Sequence, residues 1–384
     1  MEEEDDDDKP DPGLKGLSAE FQAMVGGLAG HTASFAKVLE KRSKNIAMSK
    51  EAEQKKDDEV YLQSYGDLAI HEDMLKDAPR VQAYLQAIEH YSAEWKQRGD
   101  VTVVDVGSGT GLLAVLAARA GAYRVLAVEA SPLSVYLRQV VGANVAAGTV
   151  EVHECLAENL ALGEDKVVDV IVSEWMGYFL LFENMLPSVL SVRDRYLKPG
   201  GMMLPSRSRL LLSPLQDGAW RDGKVGFWRN VSGIDMSCLM PLATVTACEK
   251  PQHRAVPLDG LFGETVEILD LDLLAVKVAD LRRFDAPLRI EVPPGGRLDG
   301  FASWFDCDFG TAGRLLSTAP SKPLTHWRQT AFYLRQPLEG GASGLSVTGS
   351  VVVEQLEDYT RGYRVTFELS APARKQRIES FELR

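Results

Sequence analysis

Residues 101–113 read VTVVDVGSGTGLL, and the way this stretch is parsed decides the fold. Its first six residues are dominated by β-branched side chains, the signature of a buried strand. Gly107, Gly109 and Gly111 then alternate with small polar residues. The apolar spacing that follows (TGLLAVLAARAG, 110–121) is helical and closes at Gly121. The same unit repeats outward. RVLAVEA (124–130) reads as a strand, SPLSVYLRQVVGANV (131–145) as a helix, and VEVHEC (150–155) and VVDVIVSEW (167–175) as strands. NMLPSVLSVRDRYLKPGG (184–201) reads as a helix stopped by its PGG, and MMLPSRSRLLLSP (202–214) leads out into further strands. Short apolar strands alternating with helices predict a doubly wound, Rossmann-like parallel sheet.

Two flanking regions differ. Upstream, HEDMLKDAPRVQAYLQAIEHYSAEW (71–95) has helical spacing broken by Pro79 and predicts two consecutive helices. Downstream of about residue 206, short alternating segments such as ETVEILDLDL (264–273), LSVTGSVVVEQL (345–356) and YRVTFEL (363–369) lie between Gly, Pro and Asp, the pattern of an antiparallel sandwich or barrel. GAWRDGKVGFWRNVSGIDMSCL (218–239) interrupts that alternation and reads as an insertion. The reading is thus a polar, acidic tail at 1–55, disordered or helical, a sheet-bearing part at 56–205 and a β-barrel part at 206–384.

The 384 residues carry a formal net charge of −13 and are 45% hydrophobic. That balance disfavours direct nucleic-acid binding and favours basic partners. About half the excess lies in MEEEDDDDKPDP (1–12), which reads as a disordered, charge-rich segment. No apolar run approaches the roughly 18–20 residues of a membrane span, so no membrane partner is expected. Cys155, Cys238, Cys248 and Cys307 show no CxxC spacing, so neither a disulfide framework nor a metal site is expected. A reducing compartment, cytoplasmic or nuclear, follows.

The glycine turn carries the first chemistry. Glycines remove side chains where a ligand must approach backbone, and the helix start offers unpaired N–H groups. The spacing is GxGxG rather than GxGxxG, with Asp105 ahead of the first glycine. This suits S-adenosylmethionine better than a dinucleotide, whose pyrophosphate needs its own cradle. Glu129, ending the next strand, stands where an acid accepts ribose hydroxyls. A tight turn plus an edge acid is the plainer alternative.

SEWMGYFLLFENML (173–186) carries the second. Glu174 and Glu183 bracket an almost wholly apolar and aromatic filling directly after a strand. If the span folds back as a hairpin-like loop at the carboxyl edge of the sheet, both carboxylates face one point. Two acids in an apolar pocket repel unless a cation meets them. A planar guanidinium, with five donors in a fixed fork, satisfies two carboxylates more completely than an ammonium does. The alternative is a helix-capping and a surface glutamate.

Together with VDVGSGTG (104–111), VEAS (128–131) and LTHWRQTAFYL (324–334), this stretch resembles the protein arginine N-methyltransferases, over most of the chain from about Tyr61. The resemblance implies a cofactor-binding fold with N-terminal lid helices, a β-barrel, and a helical arm at 216–240 that closes a head-to-tail homodimer. It implies that Glu174 and Glu183 grip the substrate guanidinium and that His326 pairs with Asp77. Trp327 would line the arginine channel, with Tyr65 reaching the substrate. Met74 and Met185 would flank the point of methyl transfer, as in members making asymmetric dimethylarginine. Arg80 would hold the cofactor carboxylate and Glu158 the adenine amino group, while Tyr61 and His71 would fold over the cofactor. The family usually has two adjacent aromatic residues where this chain has Tyr61 followed by Leu62. Substrates would be Gly/Arg-rich or histone-like basic proteins. A methyltransferase-fold dimer acting only as a scaffold is the competing reading.

Overall fold

The structure, a computed structural model, describes residues 50–163, 167–313, 315–372 and 376–384. Most of the N-terminal tail expected over 1–55 lies outside the described residues; its last residues begin the first helix.

Three helices precede the sheet: α1 (Lys50–Ser64), α2 (Leu68–Lys76) and α3 (Ala78–Arg98). The break expected at Pro79 falls at Asp77. Its carboxylate accepts the Arg80 amide and so caps α3 while ending α2, and proline sits in the first turn, where no N–H is needed. α3 buries Tyr84, Ile88, Tyr91 and Trp95 in the core, with Tyr84 edge-on to Phe309 at 5.0 Å.

Five parallel strands follow, β1 (Thr102–Val106), β2 (Arg124–Glu129), β3 (Val150–Glu154), β4 (Val168–Val172) and β5 (Leu197–Leu204), in the order β3-β2-β1-β4-β5. The connecting helices are α4 (Leu112–Ala120), α5 (Ser134–Asn144) and α6 (Leu186–Tyr196). β1, β2 and β4 are buried along nearly their whole length, as strands covered on both faces must be. Chain order reverses between β1 and β4, so the crevice beyond their carboxyl ends is where this topology places a ligand. One expectation is corrected. The helix of 184–201 ends at Tyr196, and LKPGGMML is strand β5. Pairing with β4 jumps from Leu197 to Met202, because Pro199 has no amide to donate and Gly200 takes φ +78°. The glycines make a bulge, not a helix stop.

The C-terminal part consists of two antiparallel sheets. One is built from β6 (Arg207–Leu215), β7 (Gln252–Arg254), β8 (Val266–Asp272), β10 (Arg297–Asp308), β11 (Leu315–Ser317) and β12 (Gln329–Glu339). The other holds β9 (Arg283–Val292), β13 (Leu345–Gln355), β14 (Tyr363–Ser370) and β15 (Arg377–Leu383). Phe301 stacks on Phe367 at 4.3 Å and Phe332 packs edge-on to Phe381 at 5.4 Å, giving the barrel one shared aromatic core.

The insertion is helical and longer than its sequence suggests. It runs through α7 (Gly218–Lys224) and short turns to α8 (Met240–Cys248). Its base is fixed by Trp220 stacked on Tyr333 at 3.4 Å and by Arg221 paired at 3.0 Å with the fully buried Asp299. Arg297 reaches the same carboxylate at 2.9 Å. Replacing Asp299 by Ala leaves two guanidinium groups without their shared counter-charge. Urea unfolding should then show a loss of about 3–5 kcal/mol. A loss below about 1 kcal/mol, the scale of a surface pair, would mean that this charge does not hold the arm.

Candidate active site

Two of the three glycines in the turn after β1 face a cavity. Gly107 (φ +73°) and Gly109 (φ +53°) line a cavity of about 950 Å³ at the carboxyl ends of β1 and β4. A Cβ on Gly107 would sit 2.2 Å from Met185 Cε, and one on Gly109 3.1 Å from His71 Cε1, so any side chain here fills the crevice. Gly111 and Asp105, expected at the same site, do not line the cavity. A Cβ on Gly111 would strike Leu137 Cδ1 at 2.4 Å, so this glycine permits α4 to pack on α5. Asp105 is fully buried behind the turn, and burial pushes its carboxyl up to about 7.

Glu129 is aimed by backbone. One carboxylate oxygen accepts the Gly109 amide at 2.6 Å and the other the Ser131 amide at 2.7 Å, leaving lone pairs on both toward the cavity it lines. Glu158 lines the cavity further along and accepts the Ser188 hydroxyl. His71 is buried with Nε2 2.9 Å from the Tyr65 carbonyl. Glycine cradle, aimed acid and partly apolar walls fit an adenosyl group with no further counter-charge.

The opposite wall is the loop carrying the two glutamates, and it does fold back on itself. Gly177 and Leu180 pair as a tight bridge, with Phe179 and Leu180 both at positive φ (53° and 64°). Gly177 is obligatory, since a Cβ would lie 1.9 Å from the Phe182 carbonyl oxygen. Glu183 and Asn184 also take positive φ, a concentration of backbone strain typical of a functional loop. The fold brings Glu174 and Glu183 to the same cavity.

Each is already engaged. Glu174 accepts from Arg80 Nε at 3.0 Å, with both side chains nearly buried, while Arg80 Nη1 donates to the Met74 carbonyl. Arg80 lines the cavity, yet it meets Glu174 rather than facing the cofactor region alone. Glu183 accepts the Tyr65 hydroxyl at 2.6 Å. Burial raises the Glu183 carboxyl above its ordinary range, and the negative charge of Glu174 adds to this against the Tyr65 hydrogen bond.

The THW loop of the barrel closes the site. Asp77 Oδ2 accepts both the His326 amide at 2.9 Å and His326 Nδ1 at 2.7 Å. Burial would raise the Asp77 carboxyl, but its hydrogen bonds from His326 and from the Arg80 amide outweigh that and hold it below the usual range. Trp327 Nε1 donates to the Met176 carbonyl at 2.9 Å, docking the barrel on the glutamate loop. Met74, Met185, Tyr61 and Tyr65 line the same cavity. Lining residues that escaped the sequence reading include Arg361 and the stacked pair Tyr178 and His253, whose rings lie 4.0 Å apart. Burial lowers the His253 imidazole to about 4, so it is neutral at physiological pH. Tyr178 sits inside the quoted loop. Arg361 comes from the turn between β13 and β14 and His253 from the short strand β7, neither with a local motif.

A glycine turn at the switch point of a parallel sheet, with an acid ending the next strand, fits an S-adenosylmethionine-dependent methyltransferase, and the chain's similarities single out that class. Residues 104–204 match a family model for a methyltransferase domain, and 206–373 match one for the arginine methyltransferase oligomerization subdomain. A probable protein arginine N-methyltransferase 6.1 of Oryza sativa subsp. japonica is 37% identical, covering 79% of this chain and 83% of the relative. Protein arginine N-methyltransferase 6 of Xenopus laevis is 36% identical over 86% and 97%. Among solved structures, the Trypanosoma brucei PRMT1 enzyme-prozyme heterotetrameric complex with AdoHcy superposes with a TM-score of 0.73 at 31% identity, covering 84% of this chain and all of that one. Protein arginine methyltransferase 10 of Arabidopsis thaliana gives 0.70 at 30%, covering 84% and 99%. The chain belongs to the protein arginine N-methyltransferase family.

The raised Glu183 carboxyl has a consequence for stability. Its folded value lies above the ordinary 4.5, so the fold's preference for the protonated form is fully present below that pH and is lost as pH rises through the folded value. Glu183→Gln mimics the protonated form. It should raise Tm by about 2 °C or more near pH 8 and leave it unchanged at pH 4. Thermal melts of both proteins across that range check this, and equal Tm values at pH 8 would remove the electrostatic cost assigned to Glu183.

Proposed function

We propose that this protein methylates arginine side chains in basic protein segments, with Glu174 and Glu183 as the two acceptors of the substrate guanidinium, giving mono- and asymmetric dimethylarginine. One observation carries the reading: two carboxylates from a single strained loop line the cavity that also holds Gly107, Gly109 and Glu129. A scaffold has no use for a partly buried acid held near a second one.

When bound, S-adenosylmethionine supplies an electrophilic methyl on a sulfonium. Glu129 takes the ribose hydroxyls, Glu158 the adenine amino group and Arg80 the carboxylate end, with Tyr61 and His71 covering them. Asp105 and Gly111 support the turn from behind. A guanidinium cannot lose its proton beforehand at neutral pH. Glu183 and Glu174 instead draw positive charge onto the nitrogens they bind and leave the remaining nitrogen's lone pair for attack. The arriving cation favours the charged form of Glu183, against the burial that disfavours it. Tyr65 fixes the Glu183 rotamer, Trp327 borders the arginine side chain, and Met74 and Met185 leave room for a second methyl on the same nitrogen. The proton released after transfer leaves through Glu174 or the His326–Asp77 pair. Orientation and a preorganised field in a water-poor site supply most of the rate.

The net charge of −13 suits Gly/Arg-rich or histone-like tails, and four free cysteines accord with the cytoplasm or nucleus. Incubation with labelled S-adenosylmethionine and a Gly/Arg-rich peptide should yield mono- and asymmetric dimethylarginine by mass spectrometry, with turnover abolished in Glu174→Gln. Mainly symmetric product sinks the positional assignment, and a fully active variant sinks the clamp.

The family's oligomerization subdomain takes the form of a homodimer here, closed by the arm at 216–240 and its continuation into α8. Phe227, Ile234, Leu242 and Val245 stand exposed along the arm, and Val135 and Tyr136 along α5. Apolar side chains concentrated on two surfaces suit a head-to-tail contact. A double change, Ile234→Asp with Leu242→Asp, should turn the dimer into a monomer in sedimentation velocity, with folding intact by circular dichroism. An unchanged sedimentation coefficient would place the interface elsewhere.

A further inference from the structure

α1 is an unusual element to close a cavity. Its sequence, KEAEQKKDDEVYLQS, offers three apolar residues in a row, and Val60 among them points largely to water. It has no apolar stripe with which to dock. What holds it is a set of polar contacts centred on Arg361, in the turn between β13 and β14.

Arg361 uses its whole guanidinium. Nε and Nη2 donate to Asp58 Oδ1 on α1 at 3.1 and 2.6 Å. The flat face lies 3.7 Å over the ring of Tyr61, one turn further on. Nη1 donates to the Glu183 carbonyl at 2.6 Å, and the Arg361 carbonyl accepts the Glu183 amide at 2.9 Å. The second glutamate, with its left-handed backbone at φ +76°, is therefore held on both sides by one barrel residue. The circuit closes through α1: Tyr65, packed 4.9 Å from Tyr61, donates its hydroxyl to the Glu183 carboxylate.

We propose that Arg361 is a positioning residue that couples closure of α1 over the cofactor region to the placement of Glu183 for the substrate guanidinium. α1 bears Tyr61 and Tyr65, both of which line the cavity. A cofactor that draws α1 shut sets Asp58 and Tyr61 against Arg361, and Arg361 fixes the Glu183 backbone. By linkage, substrate seated on Glu183 favours closure to the same extent. The inference rests on the reading of Glu183 as a guanidinium acceptor.

Isothermal calorimetry on the full chain tests it, with an arginine–glycine peptide titrated in the presence and absence of S-adenosylhomocysteine. The wild-type protein should bind peptide about fivefold or more tightly when the nucleoside is present. Asp58→Ala removes the acceptor of Arg361 Nε and Nη2 on α1 and leaves the Glu183 contacts. It should keep the wild-type peptide affinity without nucleoside and bring the ratio close to one. Arg361→Ala should lose the ratio and also weaken peptide binding in both states, because the Glu183 turn is released. A wild-type ratio of one, or Asp58→Ala retaining the wild-type ratio, overturns the proposal. Failure of the underlying reading is seen separately, as absence of methyl transfer from labelled S-adenosylmethionine to the same peptide by the wild-type protein.

Discussion

Two carboxylates on one short loop, facing the same partly apolar cavity, are the constraint on which the rest of the molecule depends. Neither tolerates that setting alone. Glu174 shares its charge with Arg80, and Glu183 leans on the Tyr65 hydroxyl and still has its carboxyl raised above the ordinary range. A group arriving with delocalised positive charge and several donors relieves the repulsion that a neutral ligand leaves in place. The surroundings serve that arrangement. β4 delivers the loop to the switch point, Trp327 clamps its outer strand through the Met176 carbonyl, and α1 closes it from above.

Asp77 joins the pieces. Its carboxylate caps α3 through the Arg80 amide and fixes His326 from the barrel by two hydrogen bonds. Arg80 is thus positioned by the same residue that positions His326, so the cation opposite Glu174 and the barrel wall move together. Because the folded Asp77 carboxyl lies below its ordinary 3.8, the stability it contributes is present above that value and is lost as pH falls through the folded one. Its sign opposes that of Glu183. The site is therefore most comfortable where Asp77 is ionised and Glu183 is not fully so.

The parallel sheet, the helix pair around Pro79 and the antiparallel barrel were legible because each is written in local periodicity. So was the cavity-facing placement of Gly107, Gly109 and Glu129, which is tied to their position at strand ends. Legibility failed where one residue type serves two purposes. Gly111 has the spacing of a ligand-facing glycine, but its missing side chain makes room for Leu137. Asp105 follows the motif and lies beneath the turn. The PGG at 199–201 has the look of a helix stop, yet neighbouring β4 lets the chain bulge and resume pairing. Arg361 left no trace at all, because its partners lie 178 and 303 residues away in the chain. Contacts of that separation come from assembly of the barrel on the sheet, and no local pattern encodes them.

Four non-glycine residues of the glutamate loop, Phe179, Leu180, Glu183 and Asn184, adopt the left-handed backbone that L-residues avoid. Free in solution, such a loop would relax, and its carboxylates would separate into water. It persists because several independent contacts over-determine it: the Gly177–Leu180 bridge, the Trp327 hydrogen bond and the two hydrogen bonds that the Arg361 guanidinium and carbonyl make to the Glu183 backbone. Three of these restraints differ in origin, one within the loop and two from separate turns of the barrel. The barrel is then more than a platform for substrate. Without its two turns the sheet would still cradle a nucleoside, but nothing would oblige both glutamates to meet one cation.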